Sequence, residues 1–127
     1  VFCLCGDGEI QEGSVWEAIM VAVNLKLPNL TVIYDNNMSH SRGLQIHNPA
    51  ERFKAFGCDV AVVEGHDVYR LKREISFQTD TVRVIVAETK KGFGCRTLIE
   101  NQYEWHRKSP SEAEFATLIA ELNEKTI

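Results

Sequence analysis

The feature that most constrains this chain is a regular alternation of strand-length apolar runs with helix-length segments. Val1–Cys5, Leu30–Tyr34, Asp59–Val63 and Val82–Ala87 read as strands, and helical spacing or helix-start signals fill the intervals between them. Strands joined by helical crossovers pair in parallel, so the pattern predicts an α/β fold, a parallel sheet with helices on both faces. The first helix is expected from Ser14 to about Leu25, opened by the capping box Ser14-x-x-Glu17. Its apolar positions spread so widely that a second cover, from another element or a partner chain, is expected in addition to the sheet. Asn48-Pro49 reads as an N-cap followed by proline at the first helical position, giving a short helix Pro49–Phe56 that Gly57 breaks. Asp67 should cap a helix reaching about Phe77. Ser111-x-x-Glu114 is a second capping box, for a last helix to about Glu124, and the long stretch Thr89–Pro110 has little periodicity.

With 127 residues the chain is one domain at most. Val1–Cys5 is apolar throughout, the pattern of a strand covered on both faces. Such a strand rarely starts a protein, so residues 1–127 are expected to be part of a larger domain with chain upstream. A net charge of −4 argues against a nucleic-acid or anionic-membrane surface, since both demand a concentrated basic patch. No apolar run is long enough to span a bilayer. Cys3 and Cys5 alternate within a strand, Cys58 and Cys95 stand alone, and no CxxC spacing occurs; reduced, mostly buried thiols in a cytoplasmic protein are expected.

Ligands of open parallel sheets bind beyond the carboxyl ends of the strands. Two polar clusters fall at such ends: Gly6-Asp7-Gly8-Glu9 after the first strand and Asp35-Asn36-Asn37 after the second. Asp7 and Asn37 are 30 residues apart in sequence. A helix of about 13 residues rises ~20 Å, and a return strand of about six residues covers ~20 Å in the opposite sense. The two lengths cancel and bring both residues to one edge of the sheet. One carboxylate and one carboxamide make a poor calcium cage but suit Mg²⁺, which takes one or two protein oxygens and completes its shell with phosphate and water. Gly6 and Gly8 permit close phosphate approach, and the helix start after Gly13 adds free N–H groups. The glycines match neither a dinucleotide fingerprint nor a P-loop.

Gly6-Asp7-Gly8-Glu9-Ile10-Gln11-Glu12-Gly13-Ser14-Val15-Trp16-Glu17-Ala18 resembles the diphosphate-site signature of the transketolase family, and the similarity continues through Ala55-Phe56-Gly57, Val63-Glu64-Gly65-His66-Asp67, Lys91-Gly92-Phe93-Gly94 and Trp105-His106-x-Lys108. The resemblance implies thiamine diphosphate and Mg²⁺ as cofactors, with Asp7 and Asn37 binding the metal by side chain and Ser39 by its backbone carbonyl. It implies that Gly8 contacts the diphosphate, with Gly6 and Glu9 beside it. Glu12 matches a glutamate at the subunit interface near the cofactor, and His106 a histidine that reaches the diphosphate and the bound sugar; Lys91 is expected near the same mouth. His66 is expected to be a loop or capping residue; His40 and His47, in the polar segment after Asn37, are expected to face solvent, with a substrate-facing position as the alternative for either. Two departures stand out: Trp105-His106-Arg107-Lys108 replaces WHGK, and Met38-Ser39 replaces a small-then-aliphatic pair.

The resemblance further implies transfer of a two-carbon ketol unit between sugar phosphates. The glutamate that activates the cofactor's aminopyrimidine belongs to a pyrimidine-binding domain outside residues 1–127. A partner subunit or further segment is therefore expected, within a homodimer or a heterotetramer, and the Arg107–Ser111 stretch resembles split transketolases. The alternatives are another thiamine diphosphate enzyme, such as a 1-deoxyxylulose-phosphate synthase or a 2-oxo-acid dehydrogenase subunit, and a non-catalytic assembly subunit.

Overall fold

The structure is a computed structural model and describes residues 1–40 and 42–124. The chain forms two compact units, Val1–Thr89 and Lys90–Ile127.

The first unit is a four-stranded parallel sheet. Strands β1 (Phe2–Gly6), β2 (Thr31–Asn36), β3 (Asp59–Glu64) and β4 (Arg83–Glu88) lie in the order β1-β2-β4-β3. Three helices connect them: α1 (Gly13–Asn24), α2 (Pro49–Ala55) and α3 (Val68–Ile75). Crossovers of a single hand explain where these helices lie. The steps β1→β2 and β2→β3 run the same way along the sheet, and α1 and α2 share one face. The step β3→β4 runs back, and α3 lies on the other. Phe53, Ile19 and Ala22 accordingly pack with Val32, Tyr34, Val84 and Val86, whereas Leu71 and Ile75 pack with Val63, Ile85 and Ala87. The expected fold, a parallel sheet with helices on both faces, is the fold observed.

Trp16 ties α1 to α2. Its ring stacks on Phe53 with centroids 4.9 Å apart, and its indole N–H donates to the Ile10 carbonyl at 2.7 Å. Phe53 and Ile10 are both fully buried, each stabilising the fold by roughly 1.5–3 kcal/mol. Helix α2 stops where expected. Gly57 takes φ +95 just past its end, a left-handed conformation that closes a helix at little cost only for glycine.

Several expectations need correction. Helix α1 starts at Gly13, with Glu12 as an extended N-cap lacking a side-chain bond, so Ser14 sits inside the first turn and the Ser14–Glu17 box does not form. The reason lies upstream: Glu9–Gln11 is a 3₁₀ turn, and Trp16 anchors it before the helix begins. Asn48 does precede α2 but lies at φ 50, and its side chain caps nothing. Within the described residues one face of strand β1 has no cover. Phe2 and Leu4 are 61% and 70% exposed, because α3 reaches only the β3–β4 half of their face. Met20, Val21 and Leu25 of α1 are also exposed.

The second unit holds α4 (Arg96–Glu100), a 3₁₀ turn at Glu104–His106 and α5 (Glu112–Asn123). Helix α5 opens with the expected capping box: Ser111 accepts from the Glu114 N–H and the Glu114 carboxylate reaches back to the Ser111 N–H. Helix α4 lies in the stretch without periodicity. It is capped from a distance, since the Glu121 carboxylate of α5 accepts from the Thr97 N–H at 2.9 Å and from the Thr97 hydroxyl at 2.7 Å. No helix among the described residues is long and apolar enough to cross a membrane.

Candidate functional site

Parallel pairing of β1 with β2 puts Gly6 opposite Asp35. The two strands therefore leave the sheet side by side, and the polar residues after each meet at one edge. Asp7 is 8% exposed. Its Oδ1 accepts from the Ser39 hydroxyl at 2.9 Å and its Oδ2 from the His40 N–H at 2.8 Å. Asn37 Oδ1 accepts from the Ser39 N–H at 2.9 Å. Asp7 and Asn37 thus both contact Ser39.

A second carboxylate braces this loop. Asp35 accepts from Asn37 Nδ2 at 2.6 Å and from the Thr89 hydroxyl beyond β4, orienting the carboxamide so that its oxygen faces Ser39. Met38, between Asn37 and Ser39, lies at φ 58. A non-glycine residue there costs roughly 1–2 kcal/mol, and the surrounding hydrogen bonds hold it. On the opposite side, the Gly6 N–H donates to Glu9 Oε2 at 2.7 Å. Gly8 leaves room for the His40 ring: a Cβ there would come within 2.9 Å of His40 Nε2.

The electrostatics of this edge are negative. Burial, reinforced by the charges on Asp7 and Asp35, pushes the Tyr34 phenol up to about 12. Asp7 itself makes no ion pair among the described residues; a hydroxyl and an amide answer its charge. A buried carboxylate compensated only by neutral donors is suited to a cation. Among the described residues no three His, Cys, Asp or Glu side chains gather as a metal cluster. A donor set of one carboxylate with neutral oxygens beside it suits a hard ion such as Mg²⁺, which takes one or two protein oxygens together with phosphate and water. Beside Asp7 a cleft of about 180 Å³ opens between Gln11, Tyr34, Met38, His40 and His47.

Glu12 is the exposed N-cap of α1, and its side chain touches neither Asp7 nor Asn37 in any described contact. In the second unit, Lys91 Nζ lies 2.6 Å from His106 Nδ1. An ammonium has no lone pair, so Lys91 donates, the ring nitrogen accepts, and the ring proton is left on Nε2. Lys108 lies over the Trp105 ring at 4.6 Å.

Sequence reasoning brought Asp7, Asn37 and Ser39 together but missed three parts of the arrangement. The brace from Asp35 and Thr89 spans 54 residues and has no local signature. His40 does more than face solvent, through its backbone bond to Asp7 and its ring against Gly8. The Ser39 hydroxyl is engaged as well as its backbone, and no local sequence signal marks that bond, which spans 32 residues.

Comparison with known proteins places the chain. The model of the family described as transketolase, thiamine diphosphate binding domain, matches residues 1–123. Mouse transketolase is 38% identical over 113 residues, covering 85% of this chain and 18% of that protein. One of the subunits of the apulose-4-phosphate transketolase of Actinobacillus succinogenes is 34% identical over 132 residues, covering 98% of this chain and 48% of that protein. The chain thus spans about a fifth of the first relative and about half of the second. Among solved structures, transketolase from Campylobacter jejuni superposes with a TM-score of 0.70 at 34% identity, over 79% of this chain and 17% of that one. Transketolase from Leishmania mexicana, at 22% identity and a TM-score of 0.64 over 97% of this chain and 23% of that one, shares the fold. With its parallel sheet, its Gly6–Glu9 turn and this match over nearly all its length, the chain belongs to the transketolase thiamine diphosphate binding domain family.

Proposed function

We propose that this chain holds the magnesium–diphosphate end of thiamine diphosphate in a transketolase-type enzyme, which moves a two-carbon ketol unit between sugar phosphates. The observation that carries the reading is the meeting of the buried Asp7 carboxylate with the Asn37–Ser39 loop at one strand edge. Asp7 and Asn37 act as side-chain ligands to Mg²⁺ and Ser39 as a backbone one. Gly6 and Gly8 let the diphosphate approach, and Glu9 holds the turn by its bond to the Gly6 N–H. When bound, the cofactor supplies the electron sink for breaking and making the carbon–carbon bond.

The chain's own residues bind and orient. The Asp35 brace fixes the carboxamide face of Asn37. The bond from Lys91 leaves His106 as a donor through Nε2, the form needed to hydrogen-bond an anionic oxygen of cofactor or sugar. Glu12, at the exposed start of α1, faces a partner in this reading. Residues 1–127 are part of a diphosphate-binding domain, and the pyrimidine-binding part comes from another segment or from a partner subunit, in a homodimer or heterotetramer. The shares of relatives spanned, 18% and 48%, support that reading. A cytoplasmic location belongs to it too, supported by four unpaired thiols.

Titration calorimetry of the intact enzyme with thiamine diphosphate and Mg²⁺ tests the proposal. Asp7→Ala is expected to weaken binding roughly 30-fold or more, the effect of losing a charged contact of about 2 kcal/mol. Unchanged affinity would sink it.

A further inference from the structure

The space above Gly8 is taken by the ring of His40. A Cβ on Gly8 would lie 2.9 Å from His40 Nε2, 3.0 Å from Cε1 and 3.1 Å from Cδ2, so the Nε2 end of the ring is the part that meets the turn. One carbon–carbon bond is about 1.5 Å, which puts Nε2 no more than about 4.4 Å from the Gly8 Cα. We propose that His40 is a further diphosphate-binding residue, donating from its Nε2–H to a phosphate oxygen held at the Gly8 turn. The inference rests on the function proposed above and adds to it a side-chain donor that the family resemblance does not imply.

The turn itself is short of donors for an anion. Gly6–Gly13 carries three carboxylates, Asp7, Glu9 and Glu12, and no basic side chain. The Gly6 N–H is bonded to Glu9 Oε2, and the Gln11 and Glu12 N–H groups are bonded to the Gly8 and Glu9 carbonyls. Mg²⁺ answers part of a diphosphate's charge, but the oxygens it does not reach need N–H donors. A hydrogen bond to a charged oxygen is roughly twice as strong as one between neutral groups. His40 brings such a donor to the turn from the loop after a different strand.

The position of His40 is fixed by the same residues that make the metal site. Its N–H donates to Asp7 Oδ2 at 2.8 Å, while the Ser39 hydroxyl holds Oδ1. Met38, in its left-handed conformation, turns the chain back towards Asp7 just before these bonds form. One buried carboxylate thus anchors both Ser39 and the backbone of His40, and His40 and Asp7 line the same cleft. A diphosphate that reaches Asp7 through the metal and touches Gly8 is therefore also at the tip of the His40 ring. In this role Nε2 carries its proton, as it does in one neutral tautomer and in the charged ring alike.

The test uses the intact enzyme and reads binding by calorimetry, with Mg²⁺ and either thiamine diphosphate or inorganic diphosphate. His40→Gln keeps an N–H donor, His40→Phe keeps a ring against Gly8 without a donor, and His40→Ala keeps neither. His40→Ala and His40→Phe are expected to weaken both ligands roughly 10- to 150-fold, with His40→Gln within a few-fold of wild type. Thermal melts without ligand should place all three variants near the wild type. Added to Gly8→Ala, which already displaces the ring, His40→Ala should cost little more. Binding kept in His40→Phe but lost in His40→Ala would make the ring a packing piece and overturn the inference. Wild-type affinity in all three variants, equal loss in all three, or a loss that tracks the ligand-free melting temperature would overturn it too. Binding lost in Asp7→Asn and unchanged in His40→Ala overturns the inference alone. A wild-type enzyme that binds neither ligand overturns the functional reading, and the inference falls with it.

Discussion

The hydroxyl of Ser39 donates to the buried carboxylate of Asp7 at 2.9 Å across 32 residues of sequence. In the proposed site Ser39 has two separable duties, since the hydroxyl steadies Asp7 and the carbonyl serves the metal. Ser39→Ala removes only the first. It is expected to lower stability without cofactor by about 1–2 kcal/mol while keeping Mg²⁺–thiamine diphosphate binding within a few-fold. Asp7→Asn should keep the fold and lose the binding. Thermal melts with and without cofactor, paired with calorimetry, separate the two. Loss of binding as complete in Ser39→Ala as in Asp7→Asn would refute the division of labour.

Two glycines make opposite predictions. Gly8 has φ −70, which any residue adopts, and an added methyl would meet only the movable end of the His40 ring. Gly8→Ala should change stability by less than about 1 kcal/mol yet displace the ring and weaken diphosphate binding. Gly92 has φ +80, and a Cβ there would lie 2.5 Å from the Leu98 Cβ and 2.8 Å from the Leu98 carbonyl carbon. Gly92→Ala is expected to cost about 2 kcal/mol or more. Chemical denaturation followed by circular dichroism distinguishes them; equal losses would show that the Gly8 turn is rigid.

Strands and helices were legible wherever their signals are local. Periodicity located β1 to β4 to within a residue or two, and the caps at Asp67 and Ser111 form as expected because each spans only three residues. The Ser14 box fails because a tertiary contact, Trp16 to Ile10, sets the helix start instead. Helix α4 was illegible for a related reason: its cap, Glu121, lies in a different helix. In the site, the 30-residue interval from Asp7 to Asn37 was readable from crossover geometry alone. The Thr89–Asp35 brace depends on β4 lying beside β2, a strand order that periodicity does not encode.

Arg83 supports the far end of the sheet. It is 5% exposed, pairs with Asp59 and Glu74, and lies 4.7 Å from the Phe77 ring centre. Arg83→Ala leaves Glu74 nearly buried with one fewer counter-charge and should destabilise the protein by about 3 kcal/mol; adding Glu74→Gln should recover part of that. A hydrogen bond from Arg73 holds the Glu74 carboxyl below its ordinary value, against burial and with help from the charges of Arg73 and Arg83. A depressed carboxyl stabilises above its unfolded pKa of about 4.5, and the contribution is lost as pH falls through the lower folded value. The gap between wild type and Glu74→Gln in urea midpoint should thus be full at pH 7 and shrink below about pH 4. A gap independent of pH would refute the linkage.

Glu121 makes a sharper acid prediction for the second unit. Its carboxylate accepts from the Cys95 thiol at 2.8 Å and from the Thr97 N–H and hydroxyl, and these bonds, the thiol's first, pull it down to about 2 from an ordinary 4.5. Burial and the same contact push the Cys95 thiol up, so the pair stays thiol and carboxylate through neutral pH. Because the folded value is depressed, stabilisation is complete above about 4.5 and drains away as pH falls towards about 2. Protonation places a hydrogen where Thr97 and Cys95 donate, which uncaps α4 and separates it from α5. Glu121→Gln retains one acceptor oxygen but loses the charge, so its α4 should be frayed at every pH. Hydrogen exchange at the Thr97 and Ile99 amides, followed from neutral pH down to about pH 2.5, measures this. Wild-type protection should fall steeply in the acid range, and protection in Glu121→Gln should be low and flat after correction for intrinsic rates. Equal protection of the two proteins at neutral pH would mean that α4 holds itself without the cap from α5.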